Sequence, residues 1–551
     1  ARCTACGKCA DVCRYHALTV VNRQVLFFRN LCHVCGACQV VCPEKAIREE
    51  PRKIGTVRRG ISGEIQFSDG MLETGEGSMT PRLIKKVKEI NGEGLTLIDA
   101  PPGTSCPVVE TVKNADLVVL VTDPTPFGLH DLTLAVDMCR EVGTEPVVVV
   151  NRAEYDSRDL LEYCGREKLA IVAEIPDQRK IAECYSVGDL VVDRFPEFGE
   201  LFRELALKLV GIAAQSRFIP PSESGTRQGD VPHAVKEDPV FSTAVNTVPA
   251  DGVRKEVVVI SGKGGTGKTS LTAAFTALEK SIAVADGDVD AADLHLVLRP
   301  RVMTQGTFSG GEKASIDRTR CTRCGICLRA CRFDAVRRVT EAGGNIFTVD
   351  EKACQGCGVC SLVCPEGAVV LSPAVNGDWY ESETRFGPFT HARLGIAEEN
   401  SGKLVSLIRE KSRRRAEEAG LSRALIDGAP GTGCPVIASL TGADYAVVVT
   451  EPTVSGVHDL TRILEVIRFF GIRAGVIVNK HDLNREKTME IRKLAGTVGA
   501  DFLGTVTYDK AVTRAQVNGL SVVEYANGRC LEEVTRIWEG IRTLLAKDGR
   551  R

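Results

Sequence analysis

No stretch of the 551 residues approaches the ~18 to 20 uncharged apolar residues that a membrane span needs; runs such as LVVLVT have core-strand length. A secretory h-region is likewise missing. Charge of one sign is not in excess. Lys and Arg number 70 against 72 Asp and Glu, a net of -2 that supplies no overall attraction to nucleic-acid phosphates or acidic membranes. With 43% hydrophobic and 26% charged residues the composition is ordinary for a globular protein, which excludes collagen-like, disordered and membrane classes. The length far exceeds one hydrophobic core, so at ~100 to 200 residues per domain several units are expected. What the chain has in quantity is cysteine. Of 22 cysteines, 16 fall into four tight runs, which read as cofactor ligands in a reducing cytosol rather than as disulfides, so a cytoplasmic location is expected.

Two halves of the sequence repeat each other. TLIDAPPGTSCPVV, LVVLVTDPTPFGLHDL and VVVVNR recur in the same order as ALIDGAPGTGCPVI, YAVVVTEPTVSGVHDL and VIVNK, at a constant offset from Asp99/Asp427 through Asn151/Asn479. Short apolar runs alternate with helical patterns, which predicts an α/β fold: doubly wound, mostly parallel sheets, each with an inserted small α+β ferredoxin-type domain. The expected plan is a ferredoxin-like domain over 1–52 and a partial nucleotide-domain unit over 53–215. A Pro-, Ser- and Gly-rich linker follows over 216–253. The second copy has its phosphate-loop part over 254–312, an inserted ferredoxin domain over 313–374 and a C-terminal part over 375–548.

VVVISGKGGTGKTSLTAAF places Gly262, Lys263, Gly264, Gly265, Thr266, Gly267, Lys268 and Thr269 between an apolar strand and a helix. This is G-x-x-x-x-G-K-T in the context it requires. Its glycines let N–H groups converge on phosphate oxygens at a helix N-terminus, with Lys268 on the β and γ phosphates of ATP and Thr269 on Mg.

Cys321, Cys324, Cys327 and Cys331, followed by Cys354, Cys357, Cys360 and Cys364 before a proline, form the bacterial two-cluster ferredoxin pattern. The fourth cysteine of each run serves the other cluster. Cys321, Cys324, Cys327 and Cys364 are therefore expected on one 4Fe-4S cluster, and Cys354, Cys357, Cys360 and Cys331 on the second. The first half repeats this with Cys3, Cys6, Cys9 and Cys42, and with Cys32, Cys35, Cys38 and Cys13, about four clusters in all. Structural zinc sites use CxxC pairs rather than runs of four, which favours clusters.

With Lys263 the phosphate loop reads GKGGTGKT, and the chain resembles the MinD/Mrp/nitrogenase-iron-protein class of P-loop ATPases, in the form that contains an inserted ferredoxin domain. The resemblance implies that Lys263 reaches across a dimer. It implies that ADGDVDAADLH is switch I, with Asp286 near Mg and Asp288 orienting water, and that IDGAPGTG is switch II, with Asp427 holding Mg through water. Asn479 would contact adenine. No G-x-C-x-G elbow is present, which argues against the glutaminase activity of cobyrinic-acid-synthase relatives. Ahead of Cys3 the first copy shows no phosphate loop, and the chain starts at Ala1, so a missing upstream piece is expected. The resemblance leaves three functions: nucleotide-gated electron transfer to a redox partner, iron-sulfur delivery to a client protein, or a positioning ATPase with incidental clusters. The halves are expected to form a pseudo-dimer, or the chain a homo-oligomer.

Smaller features are assigned plainer roles. His130 and His458 read as capping or core histidines, with metal ligation as the alternative, and Arg413, Arg414 and Arg415 as a solvated helix face. The amphipathic C-terminal stretch reads as packed on its own sheet. Cys106 and Cys434 follow the two switch II aspartates at equal spacing and read as small buried thiols, with bridging metal contact as the alternative.

Overall fold

The structure, a computed structural model, describes residues 2–73, 76, 79–89, 94–155, 157–215, 255–341, 344–396, 398 and 400–548. The linker expected over 216–253 lies outside the described residues. The second half is built on a nine-stranded sheet. From edge to edge it runs Arg301–Phe308, Gly377–Thr384, Gly387–Leu394, Ala283–Gly287, Arg423–Pro430, Lys255–Ser261, Tyr445–Thr450, Arg473–Asn479 and Asp501–Val506. The strands from Gly387–Leu394 through Asp501–Val506 pair in parallel.

These central strands are apolar on both faces because helices cover both. Val257 and Val259 belong to one core with Leu271, Phe275 and Trp538, whereas Val258 and Ile260 face another with Leu460, Ile463 and Ile491. The C-terminal helix Arg529–Asp548 buries Val534, Ile537, Trp538 and Ile541 in the first of these, with Trp538 stacked on Phe275 at 4.9 Å. Among the described residues no helix is long and apolar enough to cross a membrane.

The chain leaves this sheet after Arg301–Phe308 and returns at Gly377–Thr384, which pairs antiparallel with it. Between them lie two hairpin-like pairs, Gly311–Ile316 with Val369–Ala374 and Val336–Glu341 with Gly344–Val349, and two short helices, Ile326–Ala330 and Val359–Leu362. The cysteine runs sit in this insertion.

In the first half a three-stranded parallel sheet, Val118–Thr122, Pro146–Asn151 and Ile171–Ile175, keeps the expected alternation with helices such as Pro126–Val142. The repeat breaks down at TLIDA. Its counterpart Arg423–Pro430 lies between two strands, but 96–100 forms none and leaves Leu97 and Ile98 exposed. An apolar run becomes a strand only where neighbours complete its ladder, and no described strand of this half does so.

The basic helix run is exposed at Arg413 and Arg414, as expected, and is also ion-paired. In Ser401–Glu418, Arg413 pairs with Glu256 at 2.7 Å, Arg414 with Glu381 and Arg415 with Glu383. Arg409, 4% exposed, is buried against Glu256. The face that looks solvated is partly a charge-paired seam against the sheet.

Candidate functional site: a phosphate loop facing the first half

The loop 262–267 joins strand Lys255–Ser261 to helix Lys268–Glu279. Gly267 adopts φ +87°, and a Cβ there would lie 2.3 Å from Asn479 Nδ2, so only glycine closes the turn. A Cβ on Gly262 would lie 2.6 Å from that of Asp459. Asn479 donates through Nδ2 to the Thr266 carbonyl at 2.8 Å, tying the loop to the strand end where the resemblance places adenine. Thr266 Oγ1 is buried without a hydrogen-bond partner.

Lys268 is buried among carboxylates. Its Nζ lies 3.1 Å from Asp427 Oδ1, 3.4 Å from Asp288 Oδ2 and 3.3 Å from Thr269 Oγ1. Asp286 and Asp427 are register partners on adjacent parallel strands, both fully buried. Asp286 accepts from the N–H groups of Asp288 and Leu294, each at 3.1 Å. Burial works against the Lys268 charge, but Asp427 and Asp288 raise its pKa above the ordinary lysine value. Burial and the neighbouring Asp427 carboxylate push Asp286 well up, and burial lifts Asp288 to about 6 against the pull of Lys268. Asp427 accepts from Thr272 at 2.9 Å through Oδ1, while its Oδ2 is buried with no hydrogen-bond partner. Crowded carboxylates with an orphaned acceptor beside a phosphate loop fit a hydrated divalent cation.

The first half closes over this site, as a pseudo-dimer of the halves would. Pro102 lies against Gly264, and Gly103 against Asp290. Lys263 donates to Ser455 Oγ at 2.8 Å and its ammonium lies 5.3 Å from the centre of the Tyr185 ring, so it is turned toward the other half. His130 corrects its core or capping assignment: it is partly exposed at the junction, with Nδ1 3.0 Å from Asp293 Oδ1 in the switch I segment. The ligand-type atoms of His130, Asp131 and Asp293 fall within 4.8 Å of one another. His458, its repeat partner, has an exposed side chain beside Asp459. The only sequence signal for this contact is the recurrence of HDL. Cys434 is exposed and Cys106 half-buried, each opening a helix, so the buried-thiol assignment fails for Cys434.

Two cavities in the inserted domain gather the second copy's cysteines. One is lined by Cys321, Cys324, Cys327 and Cys364, the other by Cys331, Cys354, Cys357 and Cys360. In the first copy Cys13 lies with Cys32, Cys35 and Cys38, and Cys9 with Cys3 and Cys6. All four runs wind alike. Two residues past the first cysteine, Ala5, Val34, Arg323 and Gly356 adopt the left-handed conformation, and three past the fourth, His16, Lys45, Asp334 and Gly367 do. For Val34, φ +56° is a strained state for a β-branched residue, the kind retained at ligand sites. Backbone N–H groups of Ala17, Ala46 and Ala368 reach the Sγ of Cys13, Cys42 and Cys364 at 3.3 Å. Sulfur sets with inward N–H donors fit iron-sulfur clusters. Across the copies, the hydrogen bond with Cys357 pulls the Cys35 thiol down to about 6 and pushes its partner up.

The fold and the sites define a P-loop nucleotide-binding protein with ferredoxin-type modules. The chain belongs to the MinD superfamily of P-loop proteins and also carries a 4Fe-4S domain. The family described as the CobQ/CobB/MinD/ParA nucleotide binding domain matches residues 257–522, and that of the 4Fe-4S binding domain matches 25–48. An uncharacterized protein of Methanocaldococcus jannaschii is 33% identical over 240 residues, covering 42% of this chain and 80% of that one. An iron-sulfur cluster carrier protein of Pyrococcus horikoshii is 28% identical over 152 residues, 24% of this chain and 52% of the relative. Among solved structures, the septum site-determining protein MinD with Mg-ADP from Pyrococcus horikoshii aligns at 16% identity over 54% of this chain and 99% of its own, with a TM-score of 0.34.

Proposed function

We propose that the chain binds and hydrolyses ATP with Mg and couples its nucleotide state to ferredoxin-type 4Fe-4S clusters in electron transfer. The observation that carries the reading is where the insertion hangs. Strands Arg301–Phe308 and Gly377–Thr384, which lead into and out of the cysteine domain, continue through Gly387–Leu394 to Ala283–Gly287, the strand of Asp286. In that sheet His391 stands opposite Asp286. A shift of switch I on losing a phosphate therefore has a hydrogen-bonded route to the redox module.

In this reading the loop N–H groups and Lys268 hold the phosphates, Thr269, Asp286 and Asp427 hold hydrated Mg, and Asp288 orients the attacking water. Lys263 and the first half complete the site, and Asn479 steadies the loop beside adenine. The sixteen run cysteines hold the clusters, which supply reversible one-electron chemistry when bound. The likeness to an iron-sulfur cluster carrier supports a second reading, delivery of a cluster to a client protein on ATP turnover.

Anaerobic iron and sulfide analysis with EPR, with and without Mg-ATP, separates them. Electron transfer predicts about four clusters, ~16 iron atoms, unchanged by turnover, and a nucleotide-dependent midpoint potential. Delivery predicts iron lost to an apo-acceptor as ATP is hydrolysed. A potential and an iron content both indifferent to nucleotide would defeat the coupling itself.

A further inference from the structure

The two ferredoxin-type modules meet through the loops of their second cysteine runs. Cys35 and Cys357, each the middle cysteine of a CxxCxxC, are in side-chain hydrogen-bond contact across the halves. The short helices that follow them, Ala37–Val41 and Val359–Leu362, pack together.

Cluster-loop residues build this joint from both sides. Tyr15 stacks on His33 with ring centres 3.8 Å apart, and its hydroxyl donates to the Gln355 carbonyl at 3.1 Å. Arg332, next to Cys331, donates to the Val34 carbonyl at 2.9 Å and pairs bidentately with Glu49 at 2.8 Å. Arg14, next to Cys13, pairs with Glu312 at 2.9 Å. The remaining cysteine sets point elsewhere: Cys3, Cys6 and Cys324 are exposed. Each module thus has an inner sulfur set at the joint and an outer set with at least one exposed sulfur.

Building on the cluster-binding reading above, we propose that the joint makes the two modules one electron conduit, with single electrons crossing between the inner sites at Cys35 and Cys357. Tunnelling falls exponentially with distance, and the joint brings one cysteine of each inner set together, which keeps the path between the two inner sites short. The step makes and breaks no bond: one inner site is oxidised as the other is reduced. A low-potential one-electron carrier supplies the electron at an exposed outer site, and an oxidised carrier removes it at the other. Arg332 is a positioning residue whose guanidinium, packed against Gly36, also offsets the negative charge that two adjacent thiolate-rich sites concentrate.

The experiment has two arms on the full chain. In the metal-free protein, treatment with a short bifunctional maleimide followed by peptide mapping should give Cys35–Cys357 as the main link between halves; its absence overturns the joint. In the anaerobically loaded protein, partial reduction should give EPR signals broadened by interaction between the inner sites. Arg332→Glu sets a carboxylate against Glu49 and should slow electron exchange between modules by about tenfold or more at unchanged iron content. The conservative Arg332→Lys should restore part of it. Non-interacting spins in a fully loaded chain, or an exchange rate indifferent to Arg332→Glu, overturns the conduit while leaving cluster binding intact. A chain that cross-links but retains no iron overturns the cluster reading and the conduit together.

Discussion

Replacing Lys268 with methionine should do more than remove a phosphate contact; it should destabilise the nucleotide-free protein. In the structure the ammonium is the cation held at 3.1 Å from Asp427 and 3.4 Å from Asp288, with Asp286 on the adjacent strand, and the lysine is only 6% exposed. Methionine keeps most of the volume, so little cavity is created and the effect isolates charge. Breaking a buried pair by removing one partner costs about 3–5 kcal/mol, because the remaining carboxylates lose their compensation. Asp427→Asn in the same background removes the charge left behind and should recover most of the loss, giving a coupling energy of roughly 2 kcal/mol between the two positions. The assay is denaturant unfolding followed by tryptophan fluorescence, since both tryptophans, Trp379 and Trp538, lie in the second half. Isothermal calorimetry with Mg-ATP tests binding, which Lys268→Met should abolish. A variant within about 0.5 kcal/mol of the parent, with the double variant simply additive, would refute the counter-ion role.

Asp288→Asn should keep nucleotide binding and lower turnover by about 10²-fold or more, because it takes away a water-orienting carboxylate and no phosphate contact; equal turnover removes that role. Arg409→Met should cost about 3–5 kcal/mol in the same unfolding assay, since Glu256, 5% exposed, would lose its buried partner and keep only the outer Arg413; a loss below about 1 kcal/mol contradicts the seam. Burial, followed by His295, lowers His391 to about 3, so below about 6.5 the unfolded chain binds a proton that the folded chain refuses, and stability falls with acid at up to about 1.4 kcal/mol per pH unit. His391→Phe should flatten the stability profile between pH 6.5 and 4 relative to the parent, and identical slopes would show that His391 does not resist protonation there.

What could be read from the sequence divides along the range of the forces involved. The phosphate loop was legible because glycine spacing, the flanking strand and the following helix are all local, and the structure sets Gly267 in the left-handed turn that its position in the motif demands. The way the second copy's cysteines gather in two cavities was legible for a related reason: three sulfurs of each set come from one loop, and a known pattern names the run that supplies the fourth. TLIDA was misleading because strand formation is not local. The same five-residue pattern is a central strand in one copy and unpaired chain in the other, the difference lying entirely in which neighbours stand beside it. Arg413 and Arg414 are exposed as expected, but the ion pairs of the run were not legible, since Glu256, Glu381 and Glu383 arrive from two other strands more than thirty positions away. His130 and Cys35 mark the limit of such reading. Each sits in a motif that repeats in the other half, so inspection of one copy gives both the same role. The fold then separates His130 from His458, turning the first toward Asp293 and leaving the second exposed, and it brings the equivalent Cys35 and Cys357 together across the halves. Two similar copies that face each other unequally have non-equivalent sites, and it is this inequality, invisible in either repeat alone, that turns the first half toward the nucleotide site of the second.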